Sequence, residues 1–151
     1  MALLLQKEVA ERICTPAPDM SILAFSVQFY GTPQLVQIVK KEDFWPVPKV
    51  DSAVVKIVTL PPATLKQRLD RAGCDEPMLF RLVKFGFSSK RKQLHKNLAA
   101  GLQSFRHQEV TSEFLKNRLV QAGIHPQARA ENLSLDQWLD LARLLGPSLT
   151  P

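Results

Sequence analysis

The chain has 151 residues, of which 45% are hydrophobic and 23% are charged, and this composition excludes a wholly disordered protein. No apolar run reaches the roughly 18 residues that span a bilayer, so no membrane partner is expected. Cys14 and Cys74 have neither metal-ligand nor redox spacing, and no secretion signal is recognisable, which favours a reducing, cytoplasmic setting. The net charge of +6 lies between residues 61 and 110, where ten Lys/Arg stand against four Asp/Glu.

Residues 1–60 predict a mixed α/β unit. In chain order, the predicted elements are a strand at Ala2–Leu5, helices at Lys7–Ile13 and Ile22–Tyr30, and strands at Gln34–Lys40 and Ser52–Leu60. Ser21 is placed to cap the second helix, and Gly31 with Pro33 is expected to end it. The last two strands are close enough to pair as a hairpin. These few elements leave a sheet edge and apolar faces uncovered, so we expect the last strands of a larger sheet, with self-association possible through the exposed surface.

Residues 61–151 predict a small all-helical domain, because no convincing strand follows Pro61–Pro62. The predicted helices are, in order, Ala63–Ala72, Pro77–Phe87, Lys90–Leu102, a helix from Thr111 or Ser112 to Gly123, and Leu135–Leu145. Ser134 and Gln137 form a capping-box pattern at the start of the last helix, and Gly146–Pro147 is expected to end it. Trp138 is expected in the core.

A strongly basic stretch runs from Pro77 to Gln108, where no acidic residue occurs. Such a concentrated positive charge suits a polyanion such as RNA or DNA, although a single Lys or Arg is equally consistent with a solvated helical face. The charge is densest at Lys90–Lys92 with Lys96. The basic residues of the stretch are Arg81, Lys84, Lys90, Arg91, Lys92, Lys96 and Arg106.

The loop before the last predicted strand combines aromatic side chains with two prolines. Phe44 and Trp45 are followed by Pro46 and Pro48, which stiffen the segment. A rigid aromatic ring can stack on a flipped-out base, and the alternative is that both rings close the end of a core. The six glycines form no G-x-G loop, and the three histidines have no metal-ligand companions. The residues alone therefore predict neither a nucleotide cradle nor a metal site.

Four sequence blocks cover nearly the whole chain. They are LQKEVAERI at residues 5–13, FWPVPKVDSAVV at 44–55, FSSKRKQLHKNL at 87–98 and GIHPQARAENLS at 123–134. In composition and order these blocks resemble the C-terminal half of the rRNA adenine N6-dimethyltransferase family. One such block can arise by chance, whereas four in the same order make the resemblance specific.

The resemblance implies a class I, Rossmann-like methyltransferase sheet over residues 1–60, followed by a helical rRNA-binding domain over residues 61–151. It implies methyl transfer from S-adenosylmethionine to two adjacent adenines near the 3′ end of small-subunit rRNA, with the small ribosomal subunit as partner. Phe44 matches the family aromatic that packs against the target adenine. The resemblance and the charge distribution together predict these rRNA-binding residues: Lys90, Arg91, Lys92, Lys96, Arg81 and Lys84.

The family's glycine-rich cofactor loop, acidic ribose-binding residues and Asn-x-Pro-Tyr motif all precede the LQKEVAERI block. Asn97, Asn117 and Asn132 do not lie in such a motif. We therefore expect the C-terminal part of the enzyme, which binds no cofactor tightly and is inactive alone. Three alternatives stay open at this point: a stand-alone RNA-binding or ribosome-assembly module, a large-subunit rRNA methyltransferase relative, and a DNA-binding helical domain.

Overall fold

The computed structural model describes residues 1–106 and 110–149, which form three β-strands and seven α-helices. The strands are β1 (Ala2–Gln6), β2 (Gly31–Val39) and β3 (Ser52–Thr59). The helices are α1 (Lys7–Cys14), α2 (Ile22–Tyr30), α3 (Pro62–Ala72), α4 (Glu76–Gly86), α5 (Leu94–Arg106), α6 (Ser112–Gln121) and α7 (Leu135–Leu149). Two short 3₁₀ helices lie at Lys41–Asp43 and Ala130–Asn132.

The three strands form one sheet in the order β1-β3-β2, and β3 is antiparallel to both neighbours. The predicted pairing of the last two strands is confirmed, with Leu35 opposite Val55 and an irregularity between Leu35 and Gln37. Because β1 and β2 both oppose β3, they run in the same direction. Their carboxyl ends therefore lie on the same side of the sheet, the side on which open α/β sheets bind ligands.

One face of the sheet is buried and the other is exposed. Ala53, Val55 and Ile57 of β3 form a buried cluster with Ala10 of α1. On the opposite face, Leu4 leaves 53% of its surface in solvent. Among the described residues, no strand pairs with the second edge of β1. The sheet thus presents an apolar face and an edge of unpaired backbone groups.

The larger core lies among the helices and includes α2. Leu79, Leu98 and Leu119 are buried there with Trp138, which confirms the core position predicted for that tryptophan. Phe25 of α2 packs edge-on against Trp138 with the ring centroids 6.3 Å apart. The first helix pair is therefore divided: α1 covers the sheet, whereas α2 packs on the helical half. The domain boundary near residue 61 stays a prediction.

Local capping signals explain several helix ends. Ser21 accepts a hydrogen bond from the Ala24 amide at 3.0 Å, as predicted for the start of α2. Ser134 and Gln137 exchange the two bonds of a capping box at the start of α7. Gly73 ends α3 at a φ of 65°, a left-handed conformation that glycine adopts without strain.

Four predicted boundaries are wrong. The helix predicted to end at Leu102 continues to Arg106, because its last turn packs the Phe105 ring 6.4 Å from the Phe85 ring. The helix predicted from Lys90 begins at Leu94, because the Leu94 amide donates to the Ala128 carbonyl at 2.8 Å instead of continuing a helix from residue 90. α7 continues through Gly146 to Leu149, since buried Leu141 and Leu145 hold this segment against the core. β2 begins at Gly31 rather than at residue 34, because an edge strand tolerates Pro33.

Candidate nucleic-acid interface

The densest positive charge lies in an exposed turn between α4 and α5. Lys90, Arg91 and Lys92, which we name the basic turn, are all exposed and follow the end of α4 by only a few residues. The prediction placed them on a helix, and the structure corrects this. Side chains on a turn at the end of two helices project away from the bundle, so the three charges are presented together to solvent.

A buried asparagine fixes the basic turn on the helical core. Asn97 is 3% exposed, and its side-chain nitrogen donates to the Gly86 carbonyl at 2.6 Å and to the Ser89 carbonyl at 2.9 Å. The Ser89 carbonyl also accepts the Lys92 amide at 3.2 Å. The end of α4, the turn and the first turn of α5 are therefore tied to one side chain. In the sequence Asn97 belongs to the FSSKRKQLHKNL block and lies outside an Asn-x-Pro-Tyr motif, and no structural role was predicted for it. An asparagine in an otherwise leucine-rich helix was the available signal.

The other predicted RNA-binding residues lie on the two flanking helices. Lys96 is exposed in the first turn of α5, next to the basic turn. Arg81 and Lys84 are exposed three residues apart on α4, which places them on one face of that helix. The Arg81 guanidinium lies over the Phe105 ring, 4.4 Å from its centroid, toward the far end of α5.

The predicted basic residues are electrostatically available. Within residues 1–106 and 110–149, no carboxylate lies within 4.0 Å of any of them. None of these side chains therefore forms an ion pair within the described residues, which leaves their charges available to a polyanion. The side chain of Arg106 lies outside the described side chains. The available residues are Arg81, Lys84, Lys90, Arg91, Lys92 and Lys96.

A cleft of about 500 Å³ adjoins the basic turn. Lys90 and Phe87 line one side of it, and Glu8 and Arg12 of α1 line the other. The segment before α2 closes the cleft, because the Met20 amide donates to the Glu131 carbonyl at 3.0 Å. The cleft therefore connects the helical half with the helix that covers the sheet.

The loop of residues 40–51, which we name the proline loop, lies at the carboxyl ends of β1 and β2. Asp51 closes it: its carboxylate accepts from the Lys41 amide at 3.1 Å, and its carbonyl accepts from the Lys7 amide at 2.9 Å. Phe44 is half-buried at the end of the short 3₁₀ helix, whereas Trp45 is 95% exposed. The alternative in which both rings close a core is therefore wrong for Trp45. The role of Phe44 in base stacking stays a prediction.

A second cleft of about 460 Å³ separates the proline loop from α1. Lys41, Lys49 and Asp51 line its loop side, and Glu8 and Glu11 line its helix side. Glu8 borders both clefts. A continuous surface therefore runs from the basic turn across α1 to the proline loop.

In the part of the chain that the structure describes, no group of three His, Cys, Asp or Glu side chains is arranged to bind a metal ion. The described helices include none with the length and apolar character needed to cross a bilayer. Cys14 and Cys74 are free thiols, and partial burial raises the pKa of each above its ordinary value.

Comparison with known proteins identifies relatives of the whole chain. A family model described as ribosomal RNA adenine dimethylase matches residues 1–146. A ribosomal RNA small subunit methyltransferase A of Dehalococcoides mccartyi strain CBDB1 is 40% identical over 141 residues, which are 93% of this chain and 44% of that protein. The protein of the same name from Trichormus variabilis is 39% identical over 148 residues, covering 97% of this chain and 49% of its own length.

Two solved structures share the fold. A dimethyladenosine transferase from Plasmodium falciparum superposes with a TM-score of 0.71 at 22% identity, covering 97% of this chain and 57% of that one. The 23S rRNA methyltransferase ErmE superposes with a TM-score of 0.57 at 21% identity, covering 96% of this chain and 54% of its own. The chain thus spans about half the length of the relatives that it matches.

Proposed function

Because the chain belongs to the ribosomal RNA adenine dimethylase family, we propose that it is the rRNA-contacting part of an adenine N6-dimethyltransferase. The substrate of the whole enzyme is two adjacent adenines near the 3′ end of small-subunit rRNA. The names of the relatives in Dehalococcoides and Trichormus, which specify the small subunit, support this choice over the large subunit. The observation that carries the proposal is the basic turn, which forms no ion pair within residues 1–106 and 110–149 and has a fixed backbone.

The basic turn contacts the phosphates of the rRNA. Lys90, Arg91 and Lys92 present three cations in one turn, and a protein that neutralises phosphates gains affinity by releasing counterions. Lys96 extends this contact along α5, and Lys84 and Arg81 extend it along α4. The bonds of Asn97 fix the turn before binding, so little conformational entropy is lost when the RNA arrives.

The proline loop meets the target base at the edge of the sheet. Phe44 follows the carboxyl end of β2, and the 3₁₀ helix and Asp51 fix its backbone. A flat ring in a rigid loop stacks on a base that has left the helix. In this proposal Phe44 positions the adenine, while phosphate contacts at the basic turn position the strand that carries it.

The three strands are the last strands of a class I methyltransferase sheet. An antiparallel β3 between two parallel strands, an unpaired β1 edge and an exposed apolar face all support a sheet that continues beyond β1. Residues 61–151 then form the helical domain, with α2 packed against it. The remaining strands belong to the part of the relatives that this chain does not cover.

The glycines of this chain do not fit the S-adenosylmethionine cradle that the family implies. Such a cradle needs glycines in the turn after a strand. Here each of the six glycines has another role. Gly73 and Gly123 follow the ends of helices, and Gly31 begins β2. The other three belong to helices: Gly86, Gly101 and Gly146. We propose that the methyl donor binds the whole enzyme elsewhere and that this chain alone transfers no methyl group.

Fluorescence anisotropy with labelled nucleic acids tests the proposal. The chain is titrated with an RNA hairpin that carries two adjacent loop adenines, with a large-subunit rRNA hairpin and with duplex DNA of equal length. We expect the small-subunit hairpin to bind best. Preference for duplex DNA would contradict the proposal in favour of a DNA-binding domain.

A methyl-transfer assay tests whether this chain alone has the methyltransferase activity proposed for the whole enzyme. The chain, S-adenosylmethionine carrying a labelled methyl group and undermethylated small-subunit rRNA are incubated together. We expect no label in the RNA. Labelled N6-methyladenine would contradict the assignment of the donor site to a part outside this chain.

A further inference from the structure

The most exposed large hydrophobic side chain of the described residues lies in the proline loop. Of the two tryptophans, Trp138 is fully buried, whereas Trp45 is 95% exposed. Val47 and Val50 in the same loop are also exposed. An indole that is left in water forgoes the burial of some 150–250 Å² of surface, so a preformed aromatic surface of this kind indicates a binding partner.

We propose that the Trp45 indole stacks on an unpaired rRNA base at the carboxyl edge of the sheet. This inference deepens the proposed function and rests on it. It assigns to this chain a second stacking ring, distinct from the half-buried Phe44 beside it.

The loop is rigid enough to serve as a platform. The Asp43 amide donates to the Lys40 carbonyl at 3.1 Å, and the Phe44 amide donates to the Lys41 carbonyl at 3.3 Å. Asp51 ties the far end of the loop to Lys41 and to the start of α1. Pro46 fixes the backbone directly after the indole. Stacking on a ring that is already positioned loses little entropy on binding.

The charges of the loop favour a base over a membrane surface. Between residues 40 and 51, three lysines are balanced by Glu42, Asp43 and Asp51. A membrane-surface anchor combines apolar residues with a strongly basic face, which this neutral loop lacks. Stacking on a neutral base requires a flat ring and does not depend on the net charge of the loop. Glu8 and Glu11, which face the loop across the second cleft, repel phosphates but not bases.

The two clefts connect the proline loop, which carries Trp45, with the phosphate-binding surface. The first cleft carries Lys90 of the basic turn, the second cleft carries Lys41 and Lys49 of the proline loop, and Glu8 of α1 borders both. α1 has eight residues and is therefore about 12 Å long. In this proposal a strand bound at the basic turn crosses α1 with its bases, rather than its phosphates, toward Glu8 and Glu11.

Tryptophan fluorescence tests this assignment directly, because Trp138 is shielded and Trp45 is not. In the free protein, acrylamide should quench one of the two tryptophans. Adding the small-subunit RNA hairpin should quench the Trp45 emission and protect it from acrylamide. In the Trp45→Phe variant the RNA-dependent change should disappear, while the emission of Trp138 continues to report an intact fold.

Affinity measurements supply the second readout. Trp45→Ala should weaken binding of the hairpin roughly 5- to 150-fold, the range found for loss of one aromatic–base stack. Trp45→Phe, which keeps a flat ring, should lose less. Val47→Ala is the matched control, since it removes an exposed apolar side chain of the same loop without removing a ring. The dependence of affinity on salt should stay that of the wild type, because no phosphate contact is lost.

The outcomes distinguish this inference from the proposed function. Salt-dependent binding by the wild type with equal affinity in Trp45→Ala would overturn the stacking role and leave the basic turn as the RNA contact. A wild type that binds the hairpin without salt dependence would overturn the proposed function and this inference with it. A blue shift of Trp45 emission with phosphatidylserine vesicles but not with RNA would assign the loop to a membrane surface and overturn the proposal.

Discussion

The replacement of Asn97 by alanine tests how the fold positions its basic charges. Asn97 is buried, and its two hydrogen bonds to main-chain carbonyls connect the end of α4 with the basic turn. The hydrogen bond from Asn97 to the Gly86 carbonyl is buried. Its removal leaves that carbonyl oxygen without a hydrogen-bond donor, which costs about 1–3 kcal/mol. The Ser89 carbonyl still accepts a hydrogen bond from the Lys92 amide. Loss of its second hydrogen bond, from Asn97, therefore costs only about 0.5–1.5 kcal/mol.

The sum is about 1.5–4.5 kcal/mol of lost unfolding free energy. For a chain of this length, that corresponds to a decrease in Tm of roughly 3–18 °C. Thermal unfolding followed by circular dichroism measures it. Asn117→Ala is the matched control, because Asn117 lies exposed on α6 and the gain in helix propensity is common to both variants.

Two further readouts connect the stability of the turn with RNA binding. Asn97→Asp replaces the donor by an acceptor that faces two carbonyls, so we expect it to destabilise the fold more than Asn97→Ala does. A released basic turn must be ordered on binding, which weakens RNA affinity roughly tenfold for each backbone residue that has to be fixed. If Asn97→Ala unfolds within about 2 °C of Asn117→Ala, a shift that corresponds to under 1 kcal/mol, the role of Asn97 in fixing the turn is refuted.

Gly86→Ala places a methyl group against the Trp138 ring and 2.9 Å from Leu94 Cδ1, so we expect the unfolding free energy to fall by about 1–3 kcal/mol. Gly146→Ala, with nothing nearer than 4.0 Å, should raise the unfolding free energy by up to about 1 kcal/mol. Equal denaturant midpoints of the two variants would contradict this packing. His95 is 2% exposed and faces the Pro126 carbonyl, and burial lowers its pKa below the ordinary 6.5. The unfolded chain then binds more protons than the folded chain. Stability that is present above about pH 6.5 should therefore be lost as the pH falls below it, and His95→Gln should reduce that loss. The exposed sheet face and β1 edge should cause concentration-dependent self-association in sedimentation velocity; a monomer at all concentrations would count against it.

The elements that were predicted correctly depend on signals within one or two turns of sequence. Ser21 and the Ser134–Gln137 pair begin their helices through side chains that reach back to nearby amides. Gly73 ends α3 because its own backbone conformation favours glycine. The strand predicted over Ser52–Leu60 corresponds to β3, in which Ala53, Val55 and Ile57 on one face are buried.

The basic turn could not be predicted from local signals because distant residues determine it. Ser89 resembles a helix cap, and the helical spacing of Leu94 and Leu98 extends naturally back to Lys90. Two long-range bonds oppose this: Ala128 accepts the amide of Leu94, and Asn97 binds the end of α4. Charge and family resemblance predict which residues bind rRNA, and this stays a prediction. Their placement on a turn required the tertiary structure.

The exposure of Trp45 was likewise not predictable from its sequence neighbours. An aromatic pair before a strand is consistent with a plug for the end of a core, and Phe44 is in fact half-buried. The 3₁₀ helix and the closure of the loop by Asp51 direct the two rings into different environments. Neither feature follows from the spacing of the prolines.

The salt dependence of RNA binding tests the central claim, that the basic turn contacts rRNA phosphates. With four contacts from the basic turn and Lys96, the affinity of the wild type should fall roughly 50- to 150-fold between about 50 and 200 mM salt. The variant Lys90→Gln/Arg91→Gln/Lys92→Gln should reduce the log–log slope by about two units or more. Lys56→Gln/Lys66→Gln/Arg143→Gln removes the same charge from exposed positions elsewhere and should keep the wild-type slope. Equal slopes in the two triple variants would show that net charge alone drives binding and would contradict the account.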